Sequence, residues 1–216
     1  MESFISEDIN LSINIGDEIL GGKFKNKRII VKDIAKNEKG DITINGKPLL
    51  RFRIPNNKDK KLICLYIHGL NAKKSNSVEK SLSQYNLIYP EINYNETEEP
   101  YQKCLEIIDN NKVDFIIGHS IGGVMAYWLA KEKNIPALLL CPAFGDKHTV
   151  FVNKLVKINT PKILAIIGEK DEEVNSKEIK SILSKQPNCI IKKANIGHDI
   201  KEKDLKLFAN IFVKML

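Results

Sequence analysis

The stretch "FIIGHSIGGVMAYWLA" runs from Phe115 to Ala130. With the two residues before it, "VDFIIG" (113–118) reads as a β-strand, and "IGGVMAYWLAKEKN" (121–134) reads as a helix. Gly118-His119-Ser120-Ile121-Gly122 stands at the junction, in the form Gly-x-Ser-x-Gly. A nucleophile at a sharp strand-to-helix turn occupies a strained backbone conformation. Small residues two positions to either side let the chain pack closely there. The helix N-terminus then points N–H groups and positive potential at a developing oxyanion. Small residues are frequent at such turns, so the pentapeptide alone leaves two readings open: a nucleophile, or an ordinary serine in a turn.

The surrounding chain repeats the same alternation. "LICLYIHG" (62–69) is a continuous apolar run ending in glycine, the pattern of a strand buried on both faces. Residues 75–84 are helix-compatible, "NLIYPEI" (86–92) is strand-like, and "EEPYQKCLEIIDN" (98–110) has helical apolar spacing after an early proline. "PALLLCP" (136–142), "KILAIIG" (162–168) and "CIIKKA" (189–194) read as further strands, with helices over 175–185 and 203–215. This rhythm predicts a doubly wound, mainly parallel α/β sheet over residues 62–216.

Residues 1–55 follow another pattern. "LSINIGDEILGG", "KRIIVKDIAK", "DITING" and "LLRFRI" are short strand-like pieces separated by Gly, Asn and Lys turns. They predict a small all-β module, joined by a polar linker at 56–61. Residues 16–34, "GDEILGGKFKNKRIIVKDI", resemble the KOW-type, SH3-like β modules of nucleic-acid- and ribosome-associated proteins. The alternative is that 1–55 supplies extra antiparallel strands ahead of the main sheet.

Charge is unevenly spread. The formal net charge is +7. Residues 1–22 hold five acids and no Lys or Arg, whereas 23–61 hold 13 Lys/Arg against four acids. A basic run of this kind is usually a solvated face. Its other reading, nucleic-acid binding through 23–61, has only Phe24 and Phe52 as stacking platforms. No apolar run reaches the roughly 18–20 residues that cross a bilayer. The acidic N-terminus is unlike a secretory signal, so a cytoplasmic protein is expected. The four cysteines form no Cys-x-x-Cys pair and read as buried hydrophobes in a reducing compartment. The four histidines lack helical metal-site spacing, so no metal is expected.

A serine hydroxyl becomes a useful nucleophile when a base takes its proton. His198, in "NIGHDIKEKDLKLFANIFVKML", lies after the last strand and before the last helix; its bland reading is an ordinary loop histidine. A carboxylate must orient the imidazole and stabilise its positive charge. Asp171, in "ILAIIGEKDEEV", sits at the end of a strand in Gly-x-x-Asp-x-x-Val spacing. Glu169, Glu172 and Glu173 compete with it but read as solvated surface charges. Asp199 is disfavoured because adjacent side chains rarely face each other correctly. The oxyanion needs two backbone donors. Ile121, after the serine, gives one, and Leu70, in the His68-Gly69-Leu70 loop, gives the other. His68 itself reads mainly as a satisfied structural histidine.

On these residues the chain from 62 to 216 resembles a small α/β-hydrolase. "LYIHGLNAKKSNSVEKSL" is similar to the opening of the small bacterial esterases of the uncharacterised-protein family that shows thioesterase activity. "GHSIGGVMAYWLA" and "LLLCPAF" continue the match, and the order Ser120, Asp171, His198 is the superfamily's order. Two features depart from that family: the loop lacks the usual prolines after Asn71, and an N-terminal β module precedes the sheet. The resemblance implies acyl transfer from a small ester or thioester to water, through a Ser120–His198–Asp171 triad with no cofactor. It leaves the substrate open, and a peptidase or C–C hydrolase uses the same triad. The remaining rivals are a non-catalytic scaffold and a hydrolase targeted by its basic N-terminal module. Cap domains of the superfamily follow the fourth core strand, where this chain has only residues 143–161. The cap is therefore minimal. A short apolar helix there, with Phe144, Val150, Phe151, Val152, Leu155 and Val156, would pack on the sheet or wall an acyl pocket.

Overall fold

A computed structural model describes residues 13–25, 27–52, 61–70, 72–94, 99–145 and 159–216. The chain divides into two compact units, Met1–Lys60 and Lys61–Leu216.

In the first unit, β1 (Glu18–Gly21) and β2 (Lys27–Ile30) form an antiparallel hairpin. Strands β3 (Ile34–Lys36), β4 (Ile42–Ile44) and β5 (Lys47–Pro48) form a separate antiparallel sheet. Asn45 and Gly46 link β4 to β5 with φ of 49° and 71°, the left-handed pair that a two-residue hairpin demands. The Asn45 side chain also accepts the N–H groups of Lys32 and Asp33 and donates to the Ile30 carbonyl, fixing the β2–β3 corner. Ile13, Ile19, Val31, Ile44 and Phe52 make a small core. Phe52 is therefore no stacking platform, whereas Phe24 is 77% exposed. "LLRFRI" departs from its strand-like reading. Leu49–Arg51 form a 3-10 turn closed by the Phe52 N–H on the Leu49 carbonyl. Pro48 explains the break, because it has no N–H to extend a ladder and its φ of −54° starts the turn.

The second unit is a six-stranded sheet with β6 (Ile63–Ile67), β7 (Asn86–Ile88), β8 (Phe115–His119), β9 (Ala137–Leu140), β10 (Ile163–Gly168) and β11 (Cys189–Ala194). Its order is β11-β10-β9-β8-β6-β7, and every pairing is parallel. Among the described residues five helices accompany it: α1 (Asn76–Ser81), α2 (Glu99–Asn111), α3 (Ile121–Lys133), α4 (Ser176–Leu183) and α5 (Glu202–Val213). Alternate strand residues serve opposite faces. Leu65, Ile67, Ile116, Leu139, Ala165 and Ile167 join one core with side chains of α2, α3 and α4. Tyr66, Phe115, Ile117, Leu138, Leu140 and Leu164 join a second with Leu205, Phe208 and Phe212 of α5. Burial on both faces is why the inner strands β6, β8, β9 and β10 read as unbroken apolar runs rather than alternating ones.

The order places the site. The chain steps from β6 outward to β7, then returns to the other side of β6 with β8 and continues to β11. Loops leaving the C-terminal ends of β6 and β8 therefore diverge, and a crevice opens at that switch point. Those loops carry Leu70 and Ser120. Residues 146–158, which include most of the expected cap helix, lie outside the described residues, as do 1–12 and all but Lys61 of the expected linker.

Candidate active site

Ser120 is the residue between β8 and α3, at φ 56° and ψ −123°. A side chain at positive φ is strained, and such strain persists where the surroundings over-determine it. Here they do. The Ser120 N–H donates to the Leu140 carbonyl (3.0 Å), and its carbonyl accepts from Gly123 (2.9 Å) and Ala143 (3.0 Å). The flanking glycines make the turn possible. A Cβ on Gly118 would collide with the Gly122 carbonyl and come within 2.6 Å of the Ala126 methyl. One on Gly122 would strike the carbonyls of Ile67 and His68. The obstacles are mainly backbone, so they cannot rotate aside. Gly118→Ala is expected to destabilise the fold by about 1–3 kcal/mol, measured as a lower denaturation midpoint. An unchanged midpoint would show that the turn has room to relax.

The Ser120 hydroxyl lies 3.0 Å from His198 Nε2, and His198 Nδ1 lies 3.0 Å from Asp171 Oδ2. The side chains of His198 and Asp171 are only 11% and 3% exposed. An ionised carboxylate only accepts, so Nδ1 carries the ring proton and Nε2 is left to accept from the serine. Asp171 is itself held in place, its Oδ1 accepting the N–H groups of Glu173 (3.0 Å) and Val174 (3.1 Å). Burial alone would raise its carboxyl. The hydrogen bond from His198, the neighbouring Cys141 thiol and the Glu173 N–H outweigh that and hold it below the usual carboxylate range. Of the competing acids, Glu169, Glu172 and Asp199 are exposed. The Glu173 carboxylate, 70% exposed, reaches only 3.7 Å from Nε2, the nitrogen that faces Ser120. A hydroxyl, an imidazole and a carboxylate in this series can move a proton from Oγ to Nε2 while the charge is compensated at Nδ1.

The loop after β6 comes up beside the hydroxyl. A Cβ built on Gly69 would lie 3.2 Å from the Ser120 Cβ and 3.7 Å from its Oγ. His68 is buried and braces this loop. It accepts the Ile92 N–H at Nε2 (3.1 Å), so its Nδ1 carries the proton and donates to the Gly69 carbonyl (2.7 Å). The Tyr94 hydroxyl donates to the His68 carbonyl. That is the structural role its residue type implied. Leu70 follows, half exposed, and Ile121 opens α3. Neither N–H has an acceptor among the described residues.

Two contacts with the His198 loop had no signal in the sequence, one from His119 of the Gly118-His119-Ser120-Ile121-Gly122 turn and one from Cys141. His119 Nε2 faces the His198 carbonyl at 2.8 Å, and because a carbonyl only accepts, that nitrogen carries the proton. Burial pushes the His119 imidazole below the usual histidine range, with the hydrogen bond to His198 opposing it. Cys141, at φ 43°, aims its thiol at the Gly197 carbonyl (3.7 Å). Burial and then the neighbouring Asp171 push that thiol up to about 12.

A parallel sheet wound on both faces, with a serine at a strained turn after its central strand, defines an α/β-hydrolase fold. The chain belongs to a family within it: residues 63–195 match Uncharacterised protein family (UPF0227). Solved structures agree on the fold. Est1E from Butyrivibrio proteoclasticus superposes with a TM-score of 0.57 at 18% identity, covering 74% of this chain and 92% of its own. A predicted CIB-like hydrolase from Thermoplasma acidophilum gives 0.56 at 17% identity, covering 76% and 88%. SOBER1 from Arabidopsis thaliana gives 0.52 at 18% identity, covering 71% and 98%. No curated protein matches the chain significantly.

Proposed function

We propose that this protein is a serine hydrolase that cleaves esters or acyl thioesters through an acyl-enzyme on Ser120. The observation that carries the reading is the unbroken Ser120–His198–Asp171 series, with both links at 3.0 Å. His198 Nε2 takes the hydroxyl proton as Oγ attacks the carbonyl carbon. The C=O electron pair moves onto oxygen, and the N–H groups of Ile121 and Leu70 stabilise that oxyanion. The carbonyl re-forms, the C–O or C–S bond breaks, and the leaving group departs with the proton from His198. Water then repeats the sequence in reverse, giving up its proton to His198 and releasing the acid from Ser120. A reducing, cytoplasmic setting fits the four cysteines, all of them free.

A substrate panel tests this reading. It holds nitrophenyl esters of short and long acyl chains, acyl thioesters and short peptides. Est1E has been solved with ferulic acid bound, so a feruloyl ester joins the panel. The expected result is Ser120-dependent turnover of at least one ester or thioester, with peptides uncleaved. Failure to cleave any ester or thioester, together with no labelling by a fluorophosphonate, would sink it.

A further inference from the structure

The segment carrying His198 leaves β11 at Ala194 and enters α5 at Glu202 without regular structure between. Four of its carbonyls are nevertheless taken up by the ends of neighbouring strands. The Glu169 N–H donates to Ala194 (2.8 Å) and the Lys170 N–H to Ile196 (3.0 Å). These are backbone donors that almost any residue supplies. The next two carbonyls are held by side chains: Gly197 by the Cys141 thiol and His198 by the His119 ring. The thiol is a weak donor at 3.7 Å, whereas the imidazole N–H at 2.8 Å is a full hydrogen bond.

His119 is peptide-bonded to Ser120. Its ring thus ties the main chain of the nucleophile to the main chain of the base, which lies 79 residues beyond His119 in sequence. Asp171 and Ser120 fix the two ends of the His198 ring, but they leave free the backbone from which that ring hangs. We propose that His119 is a positioning residue: its Nε2–H holds the His198 carbonyl so that the imidazole stays in line between Asp171 and Ser120. This role rests on the serine-hydrolase reading. The ring suits it electrically as well. The two imidazoles lie 5.1 Å apart, and a neutral His119 adds no like charge against the imidazolium that His198 becomes. Burial favours that neutral form.

Three substitutions in the full chain separate positioning from packing. His119→Leu fills the space without a donor. His119→Gln places an amide N–H near the reach of Nε2, and His119→Asn carries the same amide one carbon short. Misplacing a catalytic group by about 1 Å costs up to roughly 100-fold. The Leu and Asn variants are therefore expected to lose about 10- to 100-fold in kcat, with KM within about twofold. The Gln variant is expected to recover most of that loss, and thermal midpoints measured alongside are expected to stay close to wild type. A folded Leu variant with wild-type kcat overturns the role, as do folded Leu and Gln variants that lose activity equally. Should the Leu variant fail to fold, the Gln–Asn pair decides: equal kcat in those two overturns it. A wild type with no Ser120-dependent turnover overturns the hydrolase reading, and this role with it. An inactive Ser120→Ala beside an unaffected His119→Leu overturns the positioning role alone.

Discussion

Ser120→Ala is expected to lower kcat by roughly 10³- to 10⁶-fold, leaving only what binding and the oxyanion donors supply. In the proposed mechanism no neighbouring group replaces the hydroxyl, because His198 and Asp171 act on its proton and not on the carbonyl carbon. The fold should hardly change. The lost oxygen makes one hydrogen bond, to His198, and alanine has no more difficulty than serine at φ 56°. Ser120→Gly supplies the contrast. Glycine adopts positive φ without a Cβ penalty, so this variant is expected to be as inactive as Ser120→Ala yet to melt at a higher temperature. Rates with the best ester of the panel and melting curves of both variants check the pair. Residual activity within tenfold of wild type would mean that the hydroxyl is not the nucleophile.

Asp171→Asn is expected to cost roughly 10⁴-fold in kcat with little change in KM. The direction follows from what holds the carboxylate. Oδ1 accepts two backbone N–H groups, from Glu173 and Val174, and an asparagine oxygen would keep that place. Its NH₂ would then face His198 Nδ1. A donor there forces Nδ1 to accept, which moves the ring proton to Nε2, where it blocks proton transfer from Ser120. The effect on stability depends on pH. The folded-state carboxyl titrates below its usual value, so its ionised form stabilises the fold above the unfolded value of about 3.9. That stabilisation is lost as pH falls through the folded value. The melting difference between wild type and Asp171→Asn should therefore narrow in acid. A kcat within tenfold of wild type would assign the orienting role to another acid, with Glu173 the nearest.

The sequence rhythm revealed the parallel sheet because its four inner strands are buried on both faces and so are apolar almost throughout. Their ends were less legible. The apolar pattern continues through Tyr89 and Ile92, yet β7 stops at Ile88. Both residues are buried by packing beyond the ladder, which periodicity cannot separate from pairing. Leu49–Arg51 misled for a related reason: leucines fit a strand face, but Pro48 had already closed the ladder. The meeting of Ser120, His198 and Asp171 was legible because each residue follows an apolar run at a turn. His119 and Cys141 were not. A histidine between glycine and serine, and a cysteine before proline, look like neighbours of the site. Their contacts with the His198 loop span 79 and 56 residues and exist only once β8, β9 and β11 lie in one sheet.

The most direct test of Ser120 as the nucleophile is the mass of the intact protein after treatment with a fluorophosphonate, followed by peptide mapping. The predicted result is a single adduct on the peptide containing Ser120, absent from Ser120→Ala. An unmodified wild type under conditions that label a control hydrolase, or an adduct that persists in Ser120→Ala, would contradict it.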